Sequence, residues 1–157
     1  MRDKRFVAEH RGGSLTKDQH RLLVQWARKC SEHVMLLITT SVDPRLTQAL
    51  HVSEEWENGD NTVGAAREAS VDAIALARAY TNPIDIAVAR SVGHAVATVH
   101  MSDHCLHAAV YGLKAVQLAG RSVDDEIEWQ HAHVPEEVRD LVFETMPAKE
   151  ESIKKGS

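Results

Sequence analysis

The chain has 157 residues, of which 43% are hydrophobic and 26% charged, and its formal net charge is −5. That length fits one ordinary domain, large enough to bury a core without a disulfide or metal. The acidic balance is the wrong sign for gripping a phosphate backbone and argues against a nucleic-acid partner. No run approaches the roughly 20 apolar residues of a membrane span.

Aromatic residues make up only 4%, and there are 8 Gly and 4 Pro, so the expected core is aliphatic and helical. The opening MRDKRFVAEHRGG carries no signal-peptide-like apolar stretch, and a cytoplasmic address is expected. Cys30 and Cys105 both fall in apolar helical patterns and read as buried free thiols, with no disulfide framework.

In chain order, residues 1–14 read as a flexible N-terminal segment ending near Gly12-Gly13. Thr16 and Gln19 have the spacing of a capping box. The stripe Leu22, Leu23, Trp26, Cys30, Val34 and Leu37 then predicts a first helix to about Ile38, burying Trp26, Cys30 and Leu37 together. Asp43-Pro44 is an N-cap followed by a proline at the first helical position, and it opens a helix that stops at Gly59. A third helix is expected from about Thr62 to Tyr80, with Val63, Ala66, Ser70, Ile74 and Ala77 inward. Asn82-Pro83 repeats the cap-and-restart device.

From Ile84 to Ala119 nothing punctuates the sequence strongly. A single helix there would be roughly 54 Å long at ~1.5 Å per residue, too long for one compact domain. A sharp turn is therefore expected near Met101-Ser102, with Ser102 or Asp103 capping the next helix. Ser122 to His131 reads as a short helix with an acidic start. A last helix opens at Pro135 and stops at Pro147, leaving residues 148–157 as a disordered, solvated tail. The whole is a single all-α domain, compact and multi-helical, of about six or seven antiparallel helices.

Histidine stands out. There are 10, with His94, His100, His104 and His107 close in sequence. On one continuous helix, His100, Asp103, His104 and His107 share a face while His94 points nearly the opposite way. Three readings remain open: a transition-metal site using His100, Asp103 and His104, polar packing between helices, or a ligand or partner surface. In the packing reading, His94, His100 and His104 are partly buried and hydrogen-bonded.

Two sites are excluded on pattern. Glu128 and His131 form one ExxH, whereas a di-iron bundle needs two. No nucleophile–base–acid triad or phosphate loop is present, and no cofactor is expected. Two acidic stretches remain, SEEWENGD at 53–60 and SVDDEIEWQ at 122–130. They read either as solvated helix ends or as a docking surface for a basic protein, with Glu54, Glu55, Asp124 and Asp125 as partner-binding candidates. Trp56 and Trp129 are either core residues or interface anchors.

Several phrases together resemble one family: HRGGSLTKDQHRLLVQWARKCSEHV at 10–34, DPRLTQAL at 43–50, VGAAREA at 63–69, GHAVATVHMSDHCLHAAVYGLKAV at 93–116 and EIEWQHAHVPEEVRDLV at 126–142. In this order they resemble the immunity-five-like group of small, all-helical bacterial immunity proteins, over roughly residues 10 to 142. The resemblance implies a non-enzymatic protein that neutralises a toxin by direct binding, with a protein partner, no catalytic residues and no cofactor. A basic toxin would suit the acidic helix ends, and a homo-oligomer stays open. The positions of resemblance include Trp26, Cys30, His33, Gly93, His94, His100, Asp103, His104, Trp129 and Gln130. His107 departs from the small residue expected there. The alternative is a metal-dependent or metal-binding helical bundle using His100, Asp103 and His104.

Overall fold

The computed structural model describes residues 3–155. Among these are seven α-helices and no strand: α1 Lys17–Val34, α2 Pro44–Glu57, α3 Val63–Ala79, α4 Pro83–Ala97, α5 His104–Leu118, α6 Val123–Ala132 and α7 Arg139–Lys155. The all-α expectation is met. Local chemistry fixes most helix starts. The Gln19 N–H donates to Thr16 Oγ1 at 3.1 Å while the Thr16 N–H donates to Gln19 Oε1 at 2.9 Å, a complete capping box. Asp43, Thr62, Asn82 and Ser122 each accept a hydrogen bond from a first-turn N–H, satisfying donors that the helix itself leaves orphaned.

Helix α4 is the centre of the molecule. It is buried around most of its circumference, from Ala87 and Val88 through Val92, Ala95 and Val96. Small residues let its neighbours approach closely. A Cβ built on Gly93 would lie 2.6 Å from Ile74 Cδ1 on α3, so the present Ile74 side-chain position uses the space that glycine leaves. Helix α1 crosses α4 where the Ser31 and Ser91 hydroxyls meet at 2.8 Å, and Ser91 Oγ also lies 2.8 Å from the Ala108 carbonyl of α5. A hydroxyl chain thus joins three helices in the interior with its hydrogen bonds made.

The long 84–119 stretch folds back on itself. Helix α4 stops at Ala97 and α5 begins at His104, so the turn occupies 98–103, where it was expected. The capping differs from expectation. Asp103 is the N-cap residue but makes no side-chain cap hydrogen bond, and the Ser102 hydroxyl donates instead to the Phe6 carbonyl. The Thr98 hydroxyl donates to His94 O at 2.9 Å, and His20 Nε2 of α1 donates to Thr98 O at 2.7 Å.

Three expectations are corrected by packing. Leu37 is only half-buried and lies in a short 3-10 turn, Met35–Leu37, beyond the end of α1. It packs on a second small cluster with Val34, Ala87, Val88, Ala115 and Val116, not beside Trp26. Val63 is 41% exposed, because the first turn of α3 overhangs the fold. Pro147 lies inside α7 and does not end it. Its ring removes one helical hydrogen bond, and contacts further on hold the helix: buried Glu150 meets His131 Nε2 at 2.6 Å, and Gln117 Nε2 donates to Ile153 O at 2.9 Å.

Helix α7 therefore runs to Lys155, into the segment expected as a tail. In the expected N-terminal segment, 3-10 turns form at Lys4–Phe6 and Glu9–Arg11, and Phe6 and Leu15 are both buried. Residues 1–2 and 156–157 of these two segments lie outside the described residues.

Trp26 is the largest fully buried side chain, and its indole N–H donates to the Gln130 carbonyl at 2.9 Å. Gln130 is itself buried and donates from Nε2 to Ala109 O at 3.0 Å, which ties α1, α5 and α6 together. Replacing Trp26 by Ala is expected to cost about 3–5 kcal/mol. Chemical denaturation monitored by circular dichroism checks this, and a loss under about 1 kcal/mol would contradict the packing described.

Candidate functional site

The 98–103 reversal decides where the histidines go. Because α5 runs back along α4, His94 faces α5 instead of pointing away. Its Nδ1 lies 2.8 Å from Nδ1 of His104. Its ring also lies 5.2 Å from His107 and stacks on Tyr111 at 5.3 Å, with Arg90 above the other ring at 5.8 Å. The expectation that His94 turns away from the others holds only for an unbroken helix, and it is corrected here.

His94 and His104 are half-buried and share a hydrogen bond, as the packing reading requires. His100 is half-buried too, but its Nδ1 is shielded and has no hydrogen-bond partner. The His100 and His104 rings are 5.9 Å apart, and His104 Nδ1 is engaged with His94. Among the described residues, no group of three or more His, Cys, Asp or Glu side chains is arranged to hold a metal ion. The set His100, Asp103, His104 is therefore not assembled as a ligand sphere.

An Nδ1–Nδ1 hydrogen bond needs one ring to donate and the other to accept, so the two histidines take opposite tautomers. Full protonation of both would set two N–H groups against each other. Burial, then the positive forms of His104 and His107 and the Arg90 guanidinium, push the His94 pKa down to about 4. Burial also lowers the pKa values of His100, His107 and His20. The buried thiols of Cys30 and Cys105 are raised, chiefly by burial, which leaves them protonated and unreactive.

The four acidic partner-binding candidates lie at two places. Glu54 reaches Arg28 Nε of α1 at 3.6 Å. Arg28 is nearly buried and also meets Glu57 Oε2 at 2.6 Å and Glu32 Oε1 at 3.5 Å. Glu55 is half-buried, 3.8 Å from His51 and 3.3 Å from Asn61. Asp124 pairs with Lys154 of α7 at 2.9 Å, and exposed Asp125 edges a cleft of about 330 Å³. In that cleft Trp129 stacks on His33 with ring centroids 3.6 Å apart and on His133 at 4.0 Å. His33 Nδ1 is held at 2.7 Å by the nearly buried Glu126.

Sequence reasoning missed Arg28 and had His33 as a position of resemblance, without the role either plays in fastening the two acidic stretches to α1. Arg28 and His33 are five positions apart, or roughly 140° around the helix at about 100° per residue. Lys29 and Glu32 fall between them, with Leu36 beyond, and all three are exposed. The end of α2, this strip of α1, and α6 thus form one continuous surface. For Arg28 the one early signal was its i,i+4 spacing to Glu32.

The His94–His104 pair has a consequence for stability. His94 titrates at about 4 in the fold and at 6.5 when unperturbed, so between those values the unfolded chain binds more protons. By linkage, stability is full above pH 6.5 and is lost as the pH falls toward 4. The melting temperature is expected to drop through that window, and His94→Gln is expected to remove part of the slope. An unchanged slope in the variant would remove His94 from this role.

Comparison with known proteins gives one family, described as Imm-5 like putative immunity protein, which matches residues 13–137. No curated protein and no solved structure matches the chain. The matched span runs from just before α1 through α6, and so contains the histidine pair, the Arg28 cluster and the Trp129 cleft. The match covers well over half of the chain, and on that extent the chain belongs to the family described as Imm-5 like putative immunity protein.

Proposed function

We propose that this protein protects a cell by binding a toxin directly, through the surface formed by the end of α2, the exposed strip of α1, and α6. The observation that carries the reading is the fastening of both acidic stretches to α1, through Arg28 on one side and His33 on the other. The result is a contiguous face with excess carboxylate. Glu32, Glu54, Glu57, Asp125 and Glu126 lie along it, against Arg28, Lys29 and Arg121.

Such a face suits a basic toxin. Long-range attraction raises the rate of encounter, and the same field repels acidic competitors. Charge alone gives little affinity at an exposed site, so anchors are needed. Leu36 is 67% exposed, and Trp129 presents a flat indole braced between His33 and His133. A braced aromatic loses little side-chain entropy on binding. Inhibition by occlusion needs no catalytic residue on this chain.

The test is co-expression with the product of the toxin-like gene beside it, scored for survival, followed by association kinetics on the purified pair. Reversing Glu54, Glu55, Asp124 and Asp125 to Lys is expected to slow association at 50 mM salt by about tenfold or more and much less at 500 mM, because about 0.15 M salt already screens exposed charges beyond roughly 8 Å. Protection without a measurable complex would overturn direct binding. A complex whose on-rate ignores the four reversals would overturn this surface.

A further inference from the structure

A second cavity, of about 410 Å³, lies between the N-terminal 3-10 segment, the start of α1, the 98–103 turn and Trp56, which borders it from the end of α2. It is within the size range of small-molecule sites, roughly 300–1,000 Å³. Its walls divide by chemistry. Phe6, Leu15, Trp56, Val63 and Val99 are apolar, and Trp56 is set against His20 with ring centroids 4.9 Å apart. The polar side carries Arg11 and Lys17, with Glu9 as the one carboxylate.

After burial, the cations at Arg67 and Arg11 are what hold His100 in its neutral form, and His10 acts on His20 in the same sense. Arg11 and Lys17 make no ion pair with any described residue, in contrast to Arg5, Arg28 and Arg45, each of which has one. The wall itself is fastened down. His20 donates to Thr98 O, Ser102 donates to Phe6 O, and Leu15 N donates to Val7 O at 3.0 Å. A preformed apolar cavity with two uncommitted cations at its mouth is complementary to one class of ligand.

We propose that this cavity binds a small organic anion, with the carboxylate, sulfonate or phosphate held by Arg11 and Lys17 and the apolar body packed on Trp56, Leu15 and Val99. The site is separate from the toxin-binding reading and stands or falls without it. Burial of the apolar body drives binding. The two cations select the charge, since charge-assisted contacts in a partly desolvated site are worth more than those in open water.

The experiment uses the full chain at neutral pH and two fluorescent probes, anilinonaphthalene sulfonate and the neutral N-phenylnaphthylamine. Circular dichroism and a cooperative melt establish that each variant is folded. The sulfonate is expected to bind one to one and more tightly than the neutral probe, shifting the Trp56 indole and His20 ring resonances. Arg11→Gln combined with Lys17→Gln is expected to weaken the sulfonate about tenfold and leave the neutral probe unchanged. Val63→Trp, which fills the rim, is expected to weaken both. Equal affinity for the two probes, indifference to the charge-removing pair, or shifts confined to Trp129 and His33 would each overturn the assignment.

Discussion

The structure turns on the reversal at 98–103. The end of α4 is inside the protein, with Val96, Ala97 and Thr98 all buried, and the N–H groups of Thr98 to Met101 turn back onto His94 O, Val96 O and Ala97 O, which leaves Thr98 O to be met from elsewhere. His20 supplies a donor from α1, and the Thr98 hydroxyl supplies another by turning back on His94 O. Across the turn, Ser102 reaches the Phe6 carbonyl, which draws the N-terminal segment over the same place. The Thr98 and Phe6 carbonyls take these bonds from side chains, so losing His20 or Ser102 would cost a buried acceptor its partner, whereas His94 O also keeps the Thr98 N–H at 3.0 Å. The histidine pair, the α4–α5 contact and the floor of the larger cavity all follow from this reversal.

Around that turn the molecule separates its charge. Buried positions are filled mainly with Ala, Val and Leu, and Gly93 leaves room for Ile74 of α3. Several buried polar groups are committed, Ser31 to Ser91, Asp85 to the Thr39 amide at 2.8 Å and Gln130 Nε2 to Ala109 O, while Gln130 Oε1 and His100 Nδ1 have no hydrogen-bond partner. Negative charge collects along α1, α2 and α6, where Arg28 is enclosed by three carboxylates. Arg11 and Lys17, which make no ion pair with a described residue, lie before and at the start of α1, beside the larger cavity.

This division has a functional logic. A binding protein that works by occlusion gains from a rigid surface, because ordering costs paid on folding are not paid again on association. Trp129 illustrates the point: its ring is held between two imidazoles, one anchored by Glu126 and the other by the Trp129 carbonyl at 2.7 Å. The thiols contribute nothing to reactivity. Both are enclosed, and both are held in the protonated form by the apolar interior.

The sequence by itself determined the helical class, the family resemblance and most helix boundaries, because these depend on local chemistry. A capping box, an Asp-Pro or Asn-Pro start and a 3.6-residue apolar stripe act within a few residues of one another, and length alone demanded a turn in the 84–119 stretch. What the sequence left open depended on contacts between distant segments. His94 faces His104 only because α5 returns along α4. Helix α7 passes Pro147 because Glu150 and Ile153 find partners on α6 and α5. Phe6 is buried because the 98–103 turn offers it a place. The acidic stretches were visible as composition, but their union across α1 was decided by Arg28 and His33, whose partners lie 26 to 93 residues away in the chain. Helical periodicity can assign a face to one helix, whereas which helix meets that face is a property of the packed core, where tertiary burial outweighs local preference.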